Sequence, residues 1–134
     1  PHPKEFERLF GKTVNSMMQV EQARFQSMRY NCHIVLKGRY TAVATPEGAC
    51  WYNLTGNPGM ATGGSGDVLT GMITGLLAQG YTPEAAALTG VYLHGLAGDL
   101  ALTTQSAESL LAGDIIDYIG AAFRMTYAAG SENS

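Results

Sequence analysis

The sequence predicts an α/β domain, and three observations carry the prediction. A glycine-rich run, Asn57 to Gly71, feeds directly into an apolar helix. A short apolar run, Ile34-Val35-Leu36, ends in Lys37-Gly38, which reads as a buried strand with functional groups at its C-terminal end, where open and mostly parallel sheets place their ligands. Two strand-like segments, Tyr40 to Thr45 and Ala49 to Asn53, flank Pro46-Glu47-Gly48, a turn that makes them an antiparallel hairpin beside that sheet.

The chain opens on Pro1-His2-Pro3-Lys4-Glu5, followed by Phe6, Leu9 and Phe10 at helical spacing and a stop at Gly11. Two prolines force an extended turn into a short helix and fix the direction of the His2 imidazole. On this segment alone, His2 reads as an exposed turn histidine. Residues 15 to 30 form a second helix, capped by Asn15 or Ser16, with Met17, Met18, Val20, Ala23, Phe25 and Met28 as its expected inner face. Its methionines are packing rather than chemistry. His33 reads as a strand-end residue rather than a ligand. Lys37 and Thr41 flank a tight strand-to-strand link that sets an ammonium near a hydroxyl, and Lys37 is balanced between a solvated strand end and a functional group.

In the central run, Gly59, Gly63, Gly64 and Gly66 permit positive φ and close backbone approach, so successive N–H groups can cradle phosphate oxygens. Val68, Leu69, Met72, Ile73, Leu76 and Leu77 then form the buried face of a helix. Unpaired N–H groups and the macrodipole favour an anion at its start. Gly63, Gly64 and Ser65 are candidate backbone donors to phosphate. Asp67 stands inside this positive nest. A helix cap would explain an isolated acid, but it gains nothing from a glycine-paved approach, so Asp67 reads as the base for a hydroxyl attacking phosphorus.

Gly80 ends that helix, and Thr82-Pro83-Glu84 starts another with a cap, a first-turn proline and a first-turn acid. Alanines 85 to 87, Leu88, Val91, Tyr92, Leu93, Leu96, Ala97 and Leu100 predict deep burial, with His94 and Asp99 read as structural. Thr103 to Glu108 is loop-like. A final helix carrying Ile115, Ile116, Ile119, Ala122 and Phe123 starts between Ala107 and Gly113, with Asp114 as a first-turn acid, and Gly130 to Ser134 is expected to fray.

At 134 residues the chain fits one domain, and its start at Pro1 suggests a piece of a longer protein. A net charge of −3 with 14% charged residues gives no basic surplus for nucleic acid. Cys32 and Cys50 lack metal-ligand spacing and read as buried free thiols. No apolar run reaches the about 18 residues of a membrane span, and no signal peptide is visible, so a cytoplasmic protein is expected.

Three segments together match one family. Pro1-His2-Pro3-Lys4-Glu5 resembles its Pro-His-Pro-Gly-Glu motif, Lys37-Gly38-Arg39-Tyr40-Thr41 resembles its Lys-Gly-x-x-Thr motif, and the run from Asn57 to Gly71 is similar to the Gly-Gly-Ser-Gly-Asp signature of the ADP- or ATP-dependent NAD(P)H-hydrate dehydratases. Lys4 departs from the usual glycine. The resemblance implies that residues 1–134 are the C-terminal part of a single nucleotide-binding domain of three-layer αβα, ribokinase-like fold, mostly parallel with an antiparallel hairpin. Its first half is then expected in cis or in a second chain. The resemblance further implies repair of hydrated nicotinamide cofactors: ADP or ATP phosphorylates the ring hydroxyl, and loss of phosphate restores NADH or NADPH. Asp67 is implied as base and substrate contact and His2 as a contact to the hydrate. Lys37, Gly38, Arg39, Tyr40, Thr41, Asn57 and Gly66 are implied to hold the nucleotide. Mg2+ is expected on the nucleotide's phosphates and water, with no protein metal ligand, and a homo-oligomer, a tetramer by the family pattern, is implied. A sugar or vitamin-precursor kinase of the same fold shares the glycine loop and base, and a non-catalytic nucleotide-binding subunit is a third reading.

Overall fold

The computed structural model describes residues 1–132. Helix α1 (Pro3–Phe10) and helix α2 (Ser16–Tyr30) precede three short strands, β1 (Ile34–Leu36), β2 (Ala42–Ala44) and β3 (Cys50–Tyr52). A 3-10 turn (Pro58–Met60) leads to helix α3 (Ser65–Ala78) and helix α4 (Pro83–Ala101). A second 3-10 turn (Ala107–Ser109), helix α5 (Ala112–Asp117) and helix α6 (Ile119–Glu132) complete the chain.

Period-two alternation in the strands builds three layers. Ile34, Leu36, Ala42 and Ala44 face one way and pack with Phe6 of α1 and Ala23 of α2. Val43 faces the other way, against Leu69 of α3 and Ala87 and Val91 of α4. Helix α4 is covered on its far side too, where Leu93 and Ala97 meet Ile115 of α5 and Ala122 of α6. This double cover matches the deep burial expected of its alanine-rich sequence. Small residues make the close approach possible: a Cβ on Gly90 would run into Ile73 of α3.

The expected antiparallel hairpin is present, closed by Gly48 N–H to Thr45 C=O at 3.0 Å. The expected parallel pairing is not: β1 pairs antiparallel with β2, Ile34 opposite Ala44, and the described strands form one antiparallel sheet in the order β1-β2-β3. Residues 37–41 are too short a link for the crossover that parallel neighbours need.

Helix α2 also differs from expectation. Asn15 is its cap, accepting from Met18 N–H at 2.9 Å, but its buried residues are Ala23, Gln26 and Ser27. Met17, Met18, Phe25 and Met28 are exposed. Of the expected inner face, Ala23 is in the core and Val20 packs against it, while the other large apolar residues are exposed. Cys32 is exposed and Cys50 half-buried, both as free thiols, which corrects the expectation of two buried ones. The last helix begins within the predicted window but breaks at Tyr118 into two pieces. Backbone expected to fray from Gly130 is helical through Glu132, and Asn133 and Ser134 lie outside the described residues.

Candidate functional site

The start of α3 is shaped for an anion. Gly64, at φ +90°, is its N-cap, with no side chain capping the helix. Ser65 N–H turns back to Thr62 C=O at 3.2 Å, and the first helical bond is Val68 N–H to Gly64 C=O at 3.1 Å. The amides of Gly66 and Asp67 therefore lie in the first turn without helical partners, at the positive end of the dipole. The Asp67 side chain is exposed beside them. Lys37, at the end of β1, lays its ammonium over Gly66, where a Cβ would collide with Nζ. Two observations thus bring a cation, free N–H groups and one carboxylate to a single helix end.

His2 arrives there through the backbone, by the bond from Lys37 N–H to Pro1 C=O at 2.8 Å. It is the N-cap of α1: Nδ1 accepts from Lys4 N–H at 3.2 Å and Glu5 N–H at 3.3 Å, while Glu5 Oε2 accepts from His2 N–H at 2.9 Å. This is a capping box with histidine in the serine position. An accepting Nδ1 places the proton of the neutral ring on Nε2, which lies 3.3 Å from Glu5 Oε1. The hydrogen bond from His2 N–H, first, and then the nearby Lys37 charge hold the Glu5 carboxyl below its ordinary range. Lys4 sits inside the first helical turn, a conformation any residue adopts, so the glycine usual in the motif is not needed here.

Two cavities meet at this helix end. The smaller, about 470 Å3, is lined by Asp67, Glu5, Gly63, Gly64 and Thr70 among others. The larger, about 840 Å3, runs from Lys37-Gly38-Arg39-Tyr40-Thr41 past residues 53–58 to Ser65 and His94. His2, Lys37, Thr62, Gly66 and Leu69 line both and form the wall between them. The larger volume is in the range of a cofactor pocket.

Most predicted site residues are therefore brought together. Asp67 and His2 border the smaller cavity; Lys37, Gly38, Arg39, Tyr40, Thr41, Asn57, Ser65 and Gly66 border the larger. Gly63 and Gly64 border only the smaller one, because the Gly64 turn carries them to the Asp67 side of the helix end. Asn57 reaches the cleft with both ends of its amide engaged: Oδ1 accepts from Gly59 N–H at 3.0 Å and Nδ2 donates to Asp99 at 2.9 Å. Arg39 lies over the Tyr40 ring, 5.4 Å from its centroid.

Other residues at the site were read as structural or passed over. His94 lines the larger cavity, its Nε2 3.0 Å from Ser65 C=O. Desolvation, and then the Lys37 charge, push its imidazole below the ordinary value, against the Ser65 carbonyl that favours the charged form. The neutral ring donates through Nε2 to Ser65 and so ties α4 to the N-terminal end of α3. Asp99, Asn53, Thr55 and Glu5 also contribute. The available signal was a pair of polar side chains, His94 and Asp99, on an otherwise apolar, small-residue helix. Among the described residues no group of three His, Cys, Asp or Glu could hold a metal ion, and no helix is long and apolar enough to cross a membrane.

Comparison with known proteins identifies the family and the fold. The NAD(P)H-hydrate dehydratase family profile matches residues 1–121. A bifunctional NAD(P)H-hydrate repair enzyme from Moorella thermoacetica is 46% identical over 121 residues, 89% of this chain and 23% of the relative. The ADP-dependent (S)-NAD(P)H-hydrate dehydratase of Bacillus subtilis is 44% identical, again over 89% of this chain and 44% of its own length. A crystal structure of the Bacillus subtilis ADP/ATP-dependent dehydratase, co-crystallised with ATP/Mg2+, superposes with a TM-score of 0.86 at 42% identity, covering 93% of this chain and 46% of that one. A ribokinase-like superfamily protein from Enterococcus faecalis superposes at 0.74 and 32% identity, covering 92% and 43%. The fold is thus ribokinase-like, and the chain spans less than half the length of these relatives. With the three motifs converging on one helix end and the profile running through nine-tenths of the sequence, this chain belongs to the NAD(P)H-hydrate dehydratase family.

Proposed function

We propose that this chain supplies the phosphate-binding and base-bearing part of a nucleotide-dependent NAD(P)H-hydrate dehydratase. The observation that carries the reading is the wall between the two cavities, where Lys37 and Gly66 face both and Asp67 stands on the smaller side. An adenine nucleotide in the larger cavity would bring its terminal phosphate to Gly66, and the hydrate's hydroxyl would enter beside Asp67. The nucleotide, ADP or ATP, supplies the phosphoryl group. Asp67 takes the hydroxyl proton as the oxygen bonds to phosphorus, and the first-turn amides with Lys37 balance the charge of the transferring group. In the second step the carbon–oxygen bond breaks with phosphate as leaving group, and loss of a ring proton restores the dihydropyridine. His2, held by the capping box, lines both cavities and orients the hydrate. Mg2+ would be held by the nucleotide's phosphate oxygens and by water.

The test is product analysis on the full-length protein that carries this chain. With hydrated NADH, ADP or ATP and magnesium, absorbance of the reduced nicotinamide should recover in step with nucleotide consumption. No recovery, alongside phosphorylation of a sugar or pyrimidine alcohol, would make the protein a small-molecule kinase instead. Light scattering on the same preparation checks the homo-oligomer that belongs to this reading, and cell fractionation checks its cytoplasmic setting.

A further inference from the structure

We infer that Asp99 is a positioning residue that sets the affinity of the larger cavity for an adenine nucleotide by gripping the backbone strap of residues 53–60. This inference rests on the nucleotide assignment just proposed. The strap runs along α4. Asn53 Nδ2 donates to Val91 C=O at 3.3 Å, and Thr55 Oγ1 donates to Tyr92 C=O at 2.9 Å. About two turns on, Asp99 takes both of its bonds: Oδ2 accepts from Gly56 N–H and Oδ1 from Asn57 Nδ2, each at 2.9 Å. Asn57 passes the grip forward by accepting from Gly59 N–H at 3.0 Å. Residues 53–58 all line the larger cavity, so the strap is its wall, whereas Asp99 itself stands behind that wall. Among the described residues, Asp99 is the one charged side chain hydrogen-bonded to the strap. Where Gly95 and Gly98 face it, a Cβ would strike Thr55 and Met60, so the strap lies flush on the helix and has no slack.

The chemistry of this pair is specific to a carboxylate. Gly56 N–H and Asn57 Nδ2 are both donors, and Asp99 offers an acceptor to each. An amide at position 99 would face one of them with its own NH2. Rotating the Asn57 amide does not relieve the conflict, because Nδ2 would then face Gly59 N–H.

The experiment is Asp99→Asn in the full-length protein, with nucleotide and hydrate KM, kcat, and hydrogen exchange of the Gly56 and Gly59 amides. The nucleotide KM should rise about tenfold or more, with kcat at saturating nucleotide falling less than about threefold and the hydrate KM changing less than about twofold. The two amides should exchange faster. The double substitution Asn57→Asp with Asp99→Asn restores a donor opposite every acceptor and should return the exchange of both amides to within about threefold of the parent rates. If Asp99→Asn does not fold, the exchange rates of the double variant carry the test alone, and exchange at both amides that stays faster than in the parent overturns the inference. A nucleotide KM within about twofold of the parent in Asp99→Asn, or equal rises in both KM values, also overturns it. A parent protein that binds no adenine nucleotide removes the functional reading and this inference together. Binding by the parent that Asp99→Asn leaves intact removes only this inference.

Discussion

Lys37 donates its backbone N–H to Pro1 C=O at 2.8 Å and at the same time reaches over Gly66 with its side chain. One residue therefore links the Pro-His-Pro segment, the end of β1 and the start of α3. The backbone bond fixes how far His2 lies from the helix end, and the ammonium adds a positive charge to the first turn of α3. Pro1 is 36 residues before Lys37 and Gly66 is 29 after it, and this one residue holds all three together.

His2 carries two roles that a substitution can separate. Asparagine is among the strongest N-cap residues, so His2→Asn should keep α1 and leave the melting temperature near that of the parent. His2→Ala removes the cap and should cost about 0.5–2 kcal/mol. Both remove the imidazole, and both should raise the hydrate KM to a similar degree. If His2→Asn keeps the parent KM, the ring serves only the helix.

Gly66 and Gly95 make a second pair for comparison. A Cβ on Gly66 meets the far end of Lys37, which can swing away, whereas a Cβ on Gly95 meets the backbone and side chain of Thr55. Gly66→Ala should fold normally and lose nucleotide affinity, because the ammonium is displaced from the phosphate position. Gly95→Ala should lift the strap from α4 and cost about 1–3 kcal/mol, the range of an overpacked interior. Chemical denaturation and nucleotide titration of both variants check the contrast, and equal stability losses would contradict it.

Local chemistry made much of this legible from the sequence. Gly11, Asn15, Thr82-Pro83 and Gly80 mark helix ends by caps and breakers whose effect is local, and all four lie where expected. That the glycine loop, Lys37 and Asp67 meet at one helix end was legible because an anion site would need those residue types together. What the sequence could not carry was partnership. Met17, Phe25 and Met28 have the composition of a buried face, yet which face of α2 meets the sheet depends on strands that are brought in from residues 34–44. Antiparallel pairing of β1 depends on the length of the link rather than on strand composition. His94 and Asp99 read as core residues until α3 and the strap are set against α4.

His94 predicts a pH dependence of stability. Its imidazole is held below the ordinary value of about 6.5, chiefly by desolvation. The unfolded chain therefore binds more protons than the native state between the native and ordinary values, and stability rises with pH across that window. The stabilisation is fully present above about pH 6.5 and is lost as pH falls toward the native value. Urea unfolding between pH 7.5 and 5, about one unit either side of the ordinary value, should show this loss in the parent, and His94→Gln should flatten it. A parent curve unchanged by His94→Gln would assign the slope to another group.

Asp67 is the residue proposed as the base. It sits in the first turn of α3, where a carboxylate stabilises a helix by about 0.3–1 kcal/mol through the dipole, so Asp67→Asn should leave the fold intact. The amide cannot accept the hydroxyl proton, and kcat should fall by about 10^2 to 10^4 fold, the contribution of a positioned base. Nucleotide binding should persist or tighten, because the substitution removes a negative charge from beside the phosphates. Calorimetric titration with nucleotide and a single-turnover assay with hydrate separate these effects. Turnover at the parent rate would exclude Asp67 as the base, and loss of nucleotide binding together with turnover would make it a binding residue instead.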